Sequence, residues 1–193
     1  RNASVCVSTP SGGSEESLPL NLPTTQTLAP MVARLLQRSG CRVNELSCVA
    51  VDCGPGSFTG LRLGLAFAKT LCFAAQIPVV GVHSLEVLAH QSTPMEDGQS
   101  RKVLAVLDAR RKQFFAAGYL VDRTAQREQI APRLVNEAWL AQMAERGWAL
   151  VGPVIGQFMQ SGFLAKITDT SAVPAIHSQA LPSAGSLAEI ATQ

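Results

Sequence analysis

The sequence has almost no surplus of charge. Sixteen Lys and Arg stand against fourteen Asp and Glu, a net of +2 over 193 residues. That balance does not by itself mark a nucleic-acid binder. If RNA is involved, most phosphate contacts are expected from a partner. A Cys-x-x-Cys pair is also missing from the odd set of five, Cys6, Cys41, Cys48, Cys53 and Cys72. Cys48, Cys53 and Cys72 lie in or beside apolar runs. They read as small core residues rather than redox or metal groups, which suits a reducing cytoplasm.

The three histidines, His83, His90 and His177, lack the i, i+4 spacing that sets two imidazoles on one helix face for a metal. His83 and His90 are seven apart, but His83 falls just before a helix start, so surface or capping roles are expected and no metal. No Gly-x-Ser-x-Gly elbow is present for a serine hydrolase. The most continuous apolar run, "LGLAFAKTLCFAAQIPVV", is broken by Lys69, Gln76 and Pro78 and does not read as a membrane span. The first residue is Arg1, and the beginning of the protein is expected upstream, so a targeting segment is neither seen nor excluded.

What is present is an alternation of strand and helix patterns, which argues for an α/β fold. Residues 3–8, "ASVCVS", read as a short strand, and the Gly-, Ser- and Pro-rich residues 9–23 as a mobile loop. Leu28, Met31, Val32, Leu35 and Leu36 form one helical stripe. Thr25 or Thr27 is expected to cap that helix, with Pro30 in its first turn and Gly40 at its end. "LSCVAVDC", residues 46–53, reads as a strand buried on both faces, followed by a glycine turn and a helix over 61–75. "IPVVGV" is another strand, and Ser84 caps the helix "LEVLAHQ". Residues 92–101 are polar and turn-rich. They read as a linker between units 1–91 and 102–193. Past them come two strands joined by a tight turn, a helix capped by Asn136 and ended by Gly147, the strand "WALVG" and a last helix in "PSAGSLAEIATQ".

The turn "GPGSFTGLR" holds the chemistry. Gly54, Gly56 and Gly60 allow positive φ and close backbone approach. Ser57 and Thr59 offer hydroxyls, and a helix start offers free amides. Such a turn can hold an anion or be purely structural. A Walker A loop would need GxxxxGK[ST] and a dinucleotide loop GxGxxG, whereas the spacing here is GxGxxxG. Asp52, ending the strand, can accept the turn's amides. In the following helix Gly64 and Ala68 make a smooth packing face. Arg62 and Lys69 share another face with Leu65, Ala66 and Phe73. That helix is either a core helix or one whose outer face meets another subunit. Asp108 and Arg110 read as a structural ion pair within a strand turn.

These residues carry a resemblance. "GPGSFTGLRLGLAFAKTL…IPVVGVHSLEVLA" resembles the bacterial TsaB (YeaZ) family, whose fingerprint is the loop Gly54, Pro55, Gly56, Ser57, Phe58, Thr59, Gly60 and Arg62. "TTQTLAPMV", "VLAVLDARRKQFFAA" and "ALPSAGSLAEIA" resemble further family segments in the same order. The resemblance implies a two-lobed actin/Hsp70-like (ASKHA) fold, mixed sheets flanked by helices. It also implies a non-catalytic subunit of the machinery that makes N6-threonylcarbamoyladenosine in tRNA. Such a subunit docks on the TsaD transferase through its first two helices, here about 25–38 and 61–75. That nominates Leu28, Met31, Val32, Leu35, Leu65, Lys69 and Phe73 as partner contacts. The implied partners are TsaD, the ATPase TsaE, a second copy when alone, and tRNA only through the complex; no membrane is implied. No cofactor is implied for the chain alone, with ATP or ADP at the partner interface. The family's opening strand and first phosphate loop would precede Arg1, and its far C-terminal segment is not in this sequence. Thr24 stands for the usual His, and Gln113 for the usual acidic residue. The alternative from another class is an ATP-binding enzyme using Gly54–Gly60 as a phosphate cradle; a self-associating scaffold is a third.

Overall fold

A computed structural model describes residues 3–10, 12–18, 23–92, 100–122, 125–160 and 182–191. The expected linker lies mostly outside the described residues, as does His177. The chain forms two units, Arg1–Val87 with Pro182–Gln193, and Leu88–Leu181. The division therefore falls inside a helix rather than at 92–101, and the last helix joins the first unit, not the second.

In the first unit, β1 (Ser4–Thr9) pairs antiparallel with β2 (Gly12–Ser17), Ser4 opposite Ser17 and Thr9 opposite Gly12. Residues 12–17 are thus a strand, where composition predicted a loop. The Gly-Ser-Glu run has little strand preference of its own; β1 templates it, and Leu18 anchors its end. Leu18 donates its amide to the Ala3 carbonyl and is buried.

Helix α1 (Thr24–Arg38) starts after Pro23, with no side-chain cap. Thr25 and Thr27 lie inside its first turns, and the Thr27 hydroxyl donates back to the Pro23 carbonyl at 3.2 Å. The earlier start moves Pro30 into the second turn, where it deletes one internal amide bond. Gly40, at φ 63, ends the helix as expected. The apolar stripe points inward. Met31, Leu35 and Leu36 form a core with Val7 and Leu18, flanked by Leu28 and Val32.

β3 (Val49–Asp52) and β4 (Val79–Val82) pair in parallel, Val49 opposite Val79. β3 is half-buried along its length, not covered on both faces. The crossover between them is α2 (Phe58–Ala75), one turn longer at its start than the periodicity predicts. Its end is capped by Gln76 at φ 57. α3 (Ser84–His90) follows β4.

The second unit carries a four-stranded sheet, ordered β7-β6-β5-β8. β5 (Arg101–Arg110), β6 (Gln113–Val121) and β7 (Gln126–Asn136) are antiparallel, and β8 (Ala149–Val151) runs parallel to β5. The β5–β6 turn has three successive residues at positive φ: Arg110 (67), Arg111 (53) and Lys112 (60). Each such non-glycine residue costs about 1–2 kcal/mol. α4 (Glu137–Glu145) is capped as expected: Asn136 Oδ1 accepts from the Trp139 amide, and Gly147 follows at φ 79. α4 and α5 (Ile155–Gln160) bring Leu140, Met143, Ile155 and Phe158 onto Leu104, Val106 and Phe114 of the sheet. The chain closes the first unit with α6 (Ala184–Ala191), whose Leu187 packs against Val82 and Val87. Its first amide donates to Ser4 Oγ and Glu15 Oε1, both at 3.0 Å.

Replacing Leu35, fully buried, by Ala is expected to cost about 2–5 kcal/mol through lost contacts and a cavity. Urea unfolding measures it; a loss under about 1 kcal/mol would mean α1 is not packed as described.

Candidate functional site

β3 ends at Asp52, and its carboxylate organises the turn. Oδ1 accepts from the Gly54 amide at 2.7 Å and from Ser84 Oγ at 2.7 Å; Oδ2 accepts from the same hydroxyl at 2.8 Å. The Ser84 amide donates to the Gly54 carbonyl at 2.9 Å, and His83 Nδ1 lies 3.3 Å from that oxygen. Ser84 is therefore not a free helix cap. It is the first residue of α3, and its hydroxyl locks the end of one strand to the helix that follows the next. His83 precedes α3, as predicted.

Only Gly54 of the three turn glycines uses positive φ, at 91. A Cβ there would sit 2.8 Å from Leu61 Cδ1. At Gly56 and Gly60 the nearest atoms to a Cβ would be at ordinary contact distance, 3.7 and 3.6 Å. The Gly54–Pro55 peptide is cis. Ser57 caps α2, its Oγ accepting from the Gly60 amide at 3.5 Å. Two amides of the corner, those of Gly54 and Gly60, thus have acceptors within it. Phe58, Thr59 and Arg62 stand exposed at the helix start.

The smooth face of α2 is the inward one, as the spacing suggests. Ala68 and Cys72 are buried, and a Cβ on Gly64 would touch Val51 Cγ2. Burial pushes the Cys72 thiol above its ordinary pKa, with nearby Cys48 adding to the effect. An adjoining side, about 100° around the helix, carries Phe58, Arg62, Leu65, Lys69 and Phe73, spaced along one stripe with Leu65 half-buried at its edge. Phe58 is 78% and Phe73 80% exposed. Past Phe73, Lys69, Gln76, Ile77, Pro78 and Val79 line a shallow groove. By length and composition alone α2 is apolar enough to cross a membrane. The interruptions at Gln76 and Pro78 fall beyond its end, so they do not argue against a span; Lys69 lies within it.

The nominated partner residues divide. Leu65, Lys69 and Phe73 line or flank the outward stripe. Met31 and Leu35 have no exposed surface and belong to the chain's own core, with Leu28 and Val32 half-buried at its margin. The α1 stripe announces burial, and its burial is inside the chain. Asp108 and Arg110 do not pair through their charges. Asp108 Oδ1 accepts from the Arg110 amide at 2.7 Å. Among the described residues, no group of three His, Cys, Asp or Glu is placed to hold a metal ion.

A family model described as TsaD, tRNA N6-adenosine threonylcarbamoyltransferase, matches residues 24–185. The chain is similar to the tRNA threonylcarbamoyladenosine biosynthesis protein TsaB of Escherichia coli K12, 34% identical over 134 residues, covering 66% of this chain and 56% of that protein. It is likewise 34% identical to the TsaB of Bacillus subtilis 168 over 119 residues, 61% of this chain and 50% of that protein. The chain spans about half the length of these relatives. The structure of YeaZ from Pseudomonas aeruginosa superposes with a TM-score of 0.78, covering 99% of this chain and 85% of that one at 24% identity, a shared fold.

Gly54→Ala is expected to cost about 2–5 kcal/mol, from backbone strain and the Leu61 clash. Ser84→Ala, which leaves the Asp52 carboxylate short of donors, is expected to cost about 1–3 kcal/mol. Denaturant melts of both variants check this; wild-type stability in both would remove the corner as a structural lock.

Proposed function

The chain belongs to the tRNA N6-adenosine threonylcarbamoyltransferase (TsaD) family, among the relatives named TsaB or YeaZ, and from that membership we propose that it is a non-catalytic subunit of the threonylcarbamoyladenosine machinery for tRNA. It docks on a TsaD-type transferase and supports its activity. The observation that carries this reading is the outward stripe of α2. A helix this apolar, held by its Gly64 and Ala68 face, leaves Phe58 and Phe73 in water with two cations between them. Large exposed aromatics beside an arginine are typical of the buried centre of a protein interface, with a lysine suited to its rim.

The glycine corner supports the same reading over the phosphate cradle. Its carboxylate, its capping hydroxyl and two of its amides are bonded to one another. A TsaE-type ATPase joins the docked pair, a nucleotide sits at the joint interface, and a second copy of this chain covers the stripe when the transferase is absent. The two units correspond to the lobes of an actin/Hsp70-like fold, and the work is done in the cytoplasm.

Phe73→Asp is expected to weaken the complex with the cognate transferase about thirtyfold or more while leaving the melting temperature unchanged, since the side chain is 80% exposed. Co-purification and light scattering read the first, a thermal melt the second. Undiminished binding would sink the docking reading. Micromolar ATP affinity with turnover in calorimetry on the full-length protein would replace it with the enzyme reading.

A further inference from the structure

We propose that the tip of the β5–β6 hairpin, Arg110, Arg111 and Lys112, is a direct contact of this chain with the phosphodiester backbone of RNA. The proposal rests on the tRNA-modification reading above and adds to it. The chain then holds tRNA itself, not only through a partner.

The first observation is conformational. All three residues have positive φ, 67, 53 and 60. Two-residue turns of this hand select Asn, Asp and Gly, which adopt that backbone easily. Here three long cations occupy it instead. Strain of this kind persists where the side chains are needed.

The second observation is electrostatic. Among the described residues, none of the three cations lies within 4.0 Å of a carboxylate. Asp108, nearest in sequence, spends Oδ1 on the Arg110 amide, which fixes the turn and leaves the guanidinium outward. The other carboxylate close along the ladder is Glu137, after Asn136, which pairs with Gln113. All three cations are exposed. Without them the chain would carry thirteen basic against fourteen acidic residues, so this one turn outweighs the whole net charge of +2. The near-neutral total conceals a local positive point.

The third observation is the mount. β5 and β6 pair from Arg101–Val121 down to Arg110–Gln113, and Phe114 is buried just past the turn. β7 pairs with β6 up to Gln113, opposite Asn136, so the turn is mounted on three paired strands and its backbone loses little freedom on binding. Arginine forks suit phosphate oxygens, and a short row of cations suits the repeated charges of a nucleic-acid backbone.

The test is a triple variant that keeps the turn and removes the charge: Arg110→Asn, Arg111→Gly and Lys112→Asn. Each new residue accepts positive φ, so the melting temperature should be kept or raised. Fluorescence anisotropy of a labelled tRNA transcript is measured against KCl concentration, with the full chain alone and with its transferase partner. The expected result is affinity about tenfold lower or worse at low salt. The slope of log K against log salt should shrink by roughly 2–3 for three lost phosphate contacts. Arg110→Lys with Arg111→Lys should keep the slope. No tRNA binding by the unaltered protein, or an equal slope in the triple variant, overturns the proposal. So does loss of the transferase with an unaltered tRNA slope, which would make the tip a contact for an acidic protein surface. Failure of the docking reading shows separately, as absence of the two-protein complex.

Discussion

The first unit depends on one carboxylate. Asp52 takes the amide of Gly54 and the hydroxyl of Ser84, two groups thirty positions apart in the sequence. Through them the end of β3, the turn behind it and the start of α3 become one joint. The Gly54 carbonyl returns a bond to the Ser84 amide and closes the ring. A charge-assisted set of this kind is stronger than neutral turn bonds. It also fixes the direction in which α2 leaves the sheet. Once that direction is set, the Gly64 and Ala68 face meets β3, and among the described residues nothing covers Phe58 and Phe73. The exposed stripe is what remains of a helix whose neighbouring face was claimed first.

Much of this was legible in the sequence. The strand–turn–helix around residues 52–62 follows from apolar run, glycine cluster and periodicity. Asn136 and Gly147 bound α4 as capping chemistry predicts. What was not legible depended on tertiary partners. β2 has the composition of a loop and becomes a strand because β1 and the Leu18 anchor hold it. β7 carries Arg127, Glu128, Pro132 and Arg133, no inward pattern, because it is a sheet edge for which charge and proline are tolerated. The family resemblance assigns α1 to a partner without saying which of its faces is free, and the Met31 and Leu35 face is taken by the chain's own core.

Ser84 and the basic turn teach a related lesson. A serine before a helical run reads as a cap, yet its hydroxyl is given to a carboxylate remote in sequence. Asp108 and Arg110 read as an ion pair, yet the bond is to the backbone. In both cases the residue types were right and the partner atom was wrong, because the fold assigns partners: Ser84 donates to a carboxylate, and Asp108 accepts from an amide. The same applies to charge. Composition averages over the surface, while a hairpin tip gathers three cations into one place.

The position of α6 has a consequence for synthesis. The first unit is written in two instalments, with the whole second unit between them. Val82 and Val87 stay without their Leu187 cover, and Ser4 and Glu15 without the Ala184 amide, until residues past 182 have left the ribosome. The sheet unit in between is complete in sequence earlier and can fold first. For that interval the nascent chain exposes both the seat of α6 and the outward stripe of α2, two sticky surfaces at once. Order of emergence, and not only final stability, therefore sets how much protection the chain needs as it is made.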